Sequence, residues 1–375
     1  MIYKNFQGNK LSALGMGCMR LPHKEDYNQI DIPATKEMVA YAMAQGVNYY
    51  DTAWGYHGGN SERAMGEVLS AYPRESFYLA SKFPGYDLSN FGKTQEIFEK
   101  QLEKCKVEYF DFYLIHNVNE ENIESYLSPK YDTFSYLLEQ KKKGRIRHLG
   151  FSTHGNLTTM RRFLDAYGKD MEFCQIQLNW IDYHFQNAKA KVEMLNEMQI
   201  PIWVMEPLRG GSLCSLLPKY EEKLRALYPE RTPTEWAFRF LQTIPGVAVT
   251  LSGMSNYEQT SQNIRTFQTE QPLTEEEMNL LLDFGKDMTS KKTLACTSCR
   301  YCTDHCPQGL DIPWIIELYN EHAYSGGGFI APSAVNALAE EKRPTACVGC
   351  RSCEGVCPQQ IKISEMMAEF QEMLK

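Results

Sequence analysis

The chain has 375 residues, 43% of them hydrophobic, which is enough for one large domain and a small one, each with its own core. Its formal charge of -8 argues against a nucleic acid or an anionic membrane surface as partner and leaves small molecules and proteins. The opening MIYKNFQGNK lacks the charged-then-apolar pattern of a secretory leader, no run reaches the roughly 18 apolar residues of a bilayer span, and the chain reads as cytoplasmic.

From residue 13 to 251, short apolar runs alternate with amphipathic stretches. In order they are LGMGCM, the helical TKEMVAYAMAQG, VNYYD, SERAMGEVLSAY, SFYLASK, FGKTQEIFEKQLEKC and FDFYLIH. IRHLGFS follows, then a helix near 156–168, FCQIQLN, a helix near 187–199, IPIWVME, a helix through TEWAFRFLQT, GVAVTLS and a helix from 257. Eight strands, each followed by a helix, point to an α/β fold of the (β/α)8 TIM barrel class rather than to a doubly wound sheet. The absence of G-x-G-x-x-G after the first strand agrees. TEEEMNLLLDFGKDM, at 274–288, forms one more amphipathic helix, capped by Thr274 with glutamates in its first turn. The polar KKT after it marks a boundary, so residues 1–290 form the barrel domain and 291–375 a second one.

Eight of the twelve cysteines crowd into 296–357, which in a reducing compartment favours metal ligation over disulfides. Cys296, Cys299, Cys302 and Cys306 precede Pro307, and Cys347, Cys350, Cys353 and Cys357 precede Pro358; both runs are C-x2-C-x2-C-x3-C-P. A zinc ribbon uses two separated pairs, whereas three thiolates at intervals of three wrap one face of a 4Fe-4S cubane, with Ser298, Gly349, Ser352 and Gly355 letting backbone amides approach the sulfides. In two-cluster ferredoxins the fourth cysteine of each run serves the other cluster. That assigns Cys296, Cys299, Cys302 and Cys357 to one cluster and Cys347, Cys350, Cys353 and Cys306 to the other. The intervening helical stretches IPWIIELYNEHAYS and PSAVNALAEEK resemble the linker of helical two-cluster ferredoxins, so the second domain is expected to be small, mainly helical and ferredoxin-like. Cys18, Cys105, Cys174 and Cys214 are isolated; all but Cys18 read as buried core thiols.

Catalytic groups of such a barrel stand at the C-terminal ends of its strands. There the sequence places Asp51, Lys82 and His116, with Tyr56 in the loop after Asp51. The series DTAWGY, SERAMGEVL, SKFP, DFYLIHNV, GFS and QLN resembles the aldo-keto reductase family in family order over about 250 residues, the length of one barrel. The resemblance implies hydride transfer between NAD(P)H and a carbonyl or alcohol substrate, with Tyr56 as general acid, Lys82 and Asp51 behind it and His116 orienting the carbonyl. A Lys82 ammonium beside Tyr56 is expected to lower the tyrosine pKa, and His57 reads as a merely exposed loop residue.

For the cofactor, the resemblance implies contacts from Gly17, Cys18, Met19 and Asp51 near the nicotinamide ribose, and from Ser152 and Gln175 to the carboxamide, with Asn179 at the end of the same strand as Gln175. Gly253, Ser255, Gln259 and Asn263 match the loop and helix start that hold the adenosine phosphate. The aromatic that stacks on the nicotinamide in many members is replaced by VMEPLRGG, and Arg209 within that segment is the expected cation for NADP(H), with NAD(H) the alternative. Trp54, Tyr86 and Trp180 line the pocket or fill the core.

A nicotinamide moves two electrons together and each cluster moves one, so direct coupling needs a converter such as a flavin, which the sequence leaves open. The leading reading is an aldo-keto reductase with a two-cluster 4Fe-4S electron-transfer module that exchanges electrons with an external carrier such as ferredoxin or flavodoxin or assists an unusual substrate. The alternatives are structural or oxygen-sensing clusters beside ordinary carbonyl reduction, and a non-catalytic redox-sensing or regulatory subunit with a nucleotide-binding barrel.

Overall fold

The computed structural model describes residues 1–290, 293–294, 296, 300, 302–357 and 359–375. A hairpin of β1 (Tyr3–Phe6) and β2 (Asn9–Ser12) precedes eight parallel strands. These are β3 (Leu14–Gly17), β4 (Tyr49–Asp51), β5 (Tyr78–Phe83), β6 (Phe110–Val118), β7 (Ile146–Thr153), β8 (Cys174–Gln177), β9 (Ile202–Met205) and β10 (Val247–Ser252). They pair in sequence order, and β10 closes the barrel on β3 with Thr250 opposite Leu14 and Ser252 opposite Met16. All eight are the strands expected from the sequence.

Alternation along each strand sorts the side chains. Tyr49, Ala80, Phe112, Leu114, Phe173 and Trp203 fill the barrel interior, whereas Tyr50, Leu79, Tyr113 and Phe151 belong to the layer between barrel and helices. Counting two residues on from interior positions reaches Asp51, Lys82, His116 and Gln175. The same parity that packs the core therefore turns these polar residues inward at the C-terminal mouth.

The hairpin was not foreseen. Its turn uses Gln7 and Gly8, both at positive φ (48° and 84°), as a tight two-residue connection demands, but Gln-Gly is a weaker signal than Asn-Gly. Phe6 and Leu11 plug the N-terminal end of the barrel, Phe6 standing edge-on to Trp203 with ring centroids 5.1 Å apart.

Helix starts carry their caps. Asp31, Asn156, Thr232 and Asn256 each accept a backbone N–H of the first turn, and at the helix Glu275–Ser290 Thr274 and Glu277 satisfy each other's amides (2.8 and 3.2 Å). Leu281 and Phe284 seat that last helix on the barrel core.

Beyond it the chain builds a separate small core. The helix Ile312–Ser325 has the expected bounds, is capped by Asp311 and ends at Gly326 with φ 73°. The second expected helix is shorter, Ile330–Asn336, and a further helix, Ile363–Met373, lies in a stretch where the sequence suggested no element. Ile312, Ile315, Ile316, Ala334, Ile363, Met367 and Phe370 pack together with Cys302 and Cys353. Among the described residues, no helix is long and apolar enough to cross a membrane.

Candidate functional site

Lys82 is the centre of the barrel mouth. Its Nζ donates to Asp51 Oδ1 at 2.6 Å, to the Thr52 carbonyl at 2.8 Å and to the Tyr56 hydroxyl at 3.3 Å, and its side chain is wholly buried. His116 faces Tyr56 edge-on at 6.2 Å between ring centroids, and its Nδ1 is buried without a partner. Behind Lys82, Gln101 donates to the Lys82 carbonyl and to Glu62, while Glu62 also accepts from Ser81 and pairs with Lys104 at 3.0 Å. Sequence reasoning missed this brace, although buried Ser61 and Glu62 stand in the SERAMGEVL segment.

The electrostatics revise one expectation. Burial raises the Tyr56 pKa and the Lys82 ammonium opposes it, and the net direction is upward, not downward. Burial likewise lifts Asp51, against the pull of Lys82; burial works to discharge Lys82, and Asp51 and Tyr56 together outweigh it, holding the ammonium charged. Burial first, then Lys82 and His154, push His116 well below the ordinary histidine value, so it is a neutral imidazole. His57 is buried rather than exposed: Nε2 accepts from the Leu21 N–H, and Nδ1 lies 2.6 Å from the Tyr27 carbonyl, pinning the loop after β3.

A cleft of about 580 Å³ opens beside this group, lined by Gly17, Met19, Asp51, Tyr56, Gln175, Gly253, Ser255, Gln259 and Asn263. Nine of the residues expected at the cofactor or catalytic site thus share one cavity. Gln175 Oε1 is buried there without a partner. At the far end Asn256 caps the helix Tyr257–Thr266, and the Ser255 hydroxyl donates to the Arg20 carbonyl at 2.9 Å.

Three expected contacts stand differently. The Cys18 side chain is fully buried in the core, burial pushing its thiol pKa far up, and it does not line the cleft. Ser152 Oγ is engaged with the Asn117 N–H at 2.8 Å. Arg209, expected as the cation of the cleft, is turned away: its Nε donates to Asp182 at 3.0 Å and an Nη to Glu321 of the helix Ile312–Ser325 at 3.1 Å. Two other cations line the cleft, neither singled out by the sequence: Arg225, paired with Glu221 at 2.8 Å, and Arg20, whose stem packs on Gly253 and whose guanidinium reaches toward Gly210. Cys105 and Cys174 are buried as expected, but Cys214 is exposed and lines the cleft. Trp180 is core, Trp54 lies under Lys104, and Tyr86 stands edge-on to His116 at 5.3 Å.

Smaller cavities beyond the barrel are lined by cysteines of both runs. Cys306 joins Cys347, Cys350 and Cys353 around one, and Cys357 joins Cys296 and Cys302 around the other; Cys299 lies outside the described residues. The Cys353 thiol is raised to about 11, by burial first and then by the neighbouring Glu354, Cys306 and Cys347. Among the described residues, no three metal-ligating side chains close on a single ion. A donor set spread around a cavity suits a cluster, whose sulfur ligands stand on its corners, better than it suits one zinc ion.

Residues 13–284 match the aldo/keto reductase family, which is most of the chain. The chain belongs to this family. Residues 295–362 of the reductase match a 4Fe-4S dicluster domain. The uncharacterized oxidoreductase YqkF of Bacillus subtilis (strain 168) is 25% identical over 307 residues, covering 74% of this chain and 93% of that protein. The NADH-specific methylglyoxal reductase of Escherichia coli (strain K12) is 24% identical over 227 residues, covering 56% of this chain and 67% of that protein. Among solved structures, the holo form of aldo-keto reductase AKR11C1 from Bacillus halodurans superposes with a TM-score of 0.59 at 21% identity, over 76% of this chain and 96% of that one. An aldo-keto reductase from Klebsiella pneumoniae in complex with NADPH gives 0.59 at 17% identity, over 76% and 95%. These likenesses establish the barrel fold, and with the family match they make the reductase an oxidoreductase of the aldo-keto reductase type.

Proposed function

We propose that the reductase interconverts a carbonyl compound and its alcohol with NADP(H) bound in the cleft, and that residues 1–290 and 291–375 are its two domains. The observation that carries the catalytic reading is the Asp51–Lys82–Tyr56 chain, buried at Asp51 and Lys82, facing His116, whose Nδ1 has no partner. The cleft suits a dinucleotide. Gln175 Oε1 is free to accept from a carboxamide, the amides at the start of the helix Tyr257–Thr266 with Ser255, Gln259 and Asn263 suit phosphate, and Arg20 supplies positive charge. That cation favours NADP(H), with NAD(H) the alternative. When bound, the reduced nicotinamide supplies hydride to the carbonyl carbon.

The side chains do the rest. The carbonyl oxygen lies between the Tyr56 hydroxyl and His116. Tyr56, held protonated by burial, gives its proton to that oxygen as negative charge develops, and the Lys82 ammonium stabilises the phenolate left behind. Asp51 keeps Lys82 charged and in place. His116, its pKa pushed well below the ordinary histidine value by burial, donates a hydrogen bond and no proton.

In the second domain, Cys296, Cys299, Cys302 and Cys357 would hold one 4Fe-4S cluster and Cys347, Cys350, Cys353 and Cys306 the other. The crossed lining of the two cavities supports this set. Such clusters would supply one-electron steps to an external carrier such as ferredoxin or flavodoxin, and coupling them to a two-electron hydride would need a flavin between nicotinamide and cluster. Tyr56→Phe tests the catalytic reading: NADPH-dependent reduction of a simple aldehyde should fall by about 10²–10⁴-fold, with the visible absorbance of the clusters unchanged. Undiminished turnover would overturn it.

A further inference from the structure

The helix Ile312–Ser325 packs on the loops that follow β8 and β9 at the mouth of the barrel. Glu317, Glu321 and Tyr324, at spacings of four and three, share one of its faces. Glu321 accepts from Arg209 at 3.1 Å and from Gln186 at 2.7 Å, and the Tyr324 ring lies 5.1 Å from Phe185 and 4.9 Å from the Arg209 guanidinium. Glu317 feels the charge of Lys191, which stands on the barrel helix Ala188–Glu197. The contact is therefore a built one, with charges engaged on both sides.

This seat fixes where the chain goes next. Gly326, Gly327 and Gly328 run at φ 73°, 113° and 114° with nothing near their Cβ positions, so the backbone path and not crowding requires glycine there. The path delivers Phe329 onto His154, edge-on at 5.3 Å between centroids. His154 directly follows β7, its Nδ1 is buried without a partner, and it lies close enough to His116 to oppose a charge there. Phe329 nevertheless keeps 54% of its surface exposed, and Tyr86, on the edge of His116, keeps 37%. Two partly uncovered aromatic rings thus stand on two electrostatically coupled histidines at the barrel mouth, Tyr86 on His116 and Phe329 on His154, one supplied by each domain.

We propose that the C-terminal domain completes the substrate site, Phe329 and Tyr86 forming an aromatic slot that selects carbonyl compounds with a flat apolar arm over short aliphatic ones. This rests on the carbonyl-reduction reading for its chemistry and on the domain contact for its geometry. Apolar and aromatic walls around a few fixed polar groups are how small-molecule pockets gain selectivity. Phe329 is a specificity residue here, not a catalytic one.

The test compares benzaldehyde with propanal on full-length, cluster-loaded protein, by turnover with NADPH and by calorimetric binding to the NADP+-loaded form. Phe329→Ala should raise KM and weaken binding for benzaldehyde by about tenfold, the scale of one aromatic contact. Propanal turnover, NADPH affinity and cluster absorbance should stay as in the parent, and Phe329→Tyr should restore the preference. An unchanged preference in Phe329→Ala overturns the slot, as does an equal loss for both aldehydes accompanied by loss of cluster absorbance. Binding of neither aldehyde to the parent protein also overturns it. A parent that binds with a Phe329-dependent preference but turns over neither aldehyde upholds the slot and sinks the reduction reading.

Discussion

The Asp51–Lys82–Tyr56 group and the two cysteine cavities are organised in opposite ways. In the barrel site Asp51 and Lys82 are buried and tied by their own hydrogen bonds, with Glu62, Gln101 and Ser81 behind them, and the half-buried Tyr56 reaches the cleft. The cysteines sit in a small core, Cys350 exposed and Cys306, Cys347 and Cys357 only half-buried. A large core fixes a site before any ligand arrives, whereas a small one draws its order from what it binds.

Removing the clusters should break the comparison most visibly. Anaerobic chelation of iron is expected to abolish amide-exchange protection across 302–375 while the barrel strands stay protected; a module that keeps its protection would show that its helices alone suffice. Lys82→Met comes next, because it leaves Asp51 buried without its counter-ion. We expect a loss of about 3–5 kcal/mol in urea unfolding of the barrel, with cluster absorbance intact.

The smallest effect lies at the join. Glu317 is raised to about 7 from an ordinary value of 4.5, by burial first, with Lys191 opposing and Glu120, Asp311 and Glu321 adding to the rise. The folded chain therefore binds more protons than the unfolded one between pH 4.5 and about 7, and stability falls as pH rises through that window and levels off above it. Water still reaches this carboxyl, which keeps the effect small. Glu317→Gln should flatten the slope of melting temperature against pH in some measure; Glu321, also raised, chiefly by burial, retains the remainder.

Much of this molecule was legible because alternation and spacing are local. Eight apolar runs with polar ends gave the strands and, through strand parity, the inward-facing Asp51, Lys82 and His116. The hairpin escaped because its turn is Gln-Gly, and the helix Ile363–Met373 was passed over although Ile363, Met366, Met367 and Phe370 carry a helical period. Arg209 was misplaced for a different reason. Its choice between a phosphate and a carboxylate is decided by Glu321, more than a hundred residues on, which no local pattern reports. The Tyr56 pKa went the other way from expectation because burial, invisible in sequence and aided by the Asp51 carboxylate, outweighs the Lys82 ammonium.

The sharing of each cysteine cavity between the two runs bears on how the protein is made. Domains fold in order as a chain is synthesised, so the barrel is complete before the second run exists. Neither ring of thiols closes until Cys353 and Cys357 have been added. On the proposed ligand sets the first run stays open beside the barrel until the second is made, and iron loading would be the last event in the maturation of the molecule.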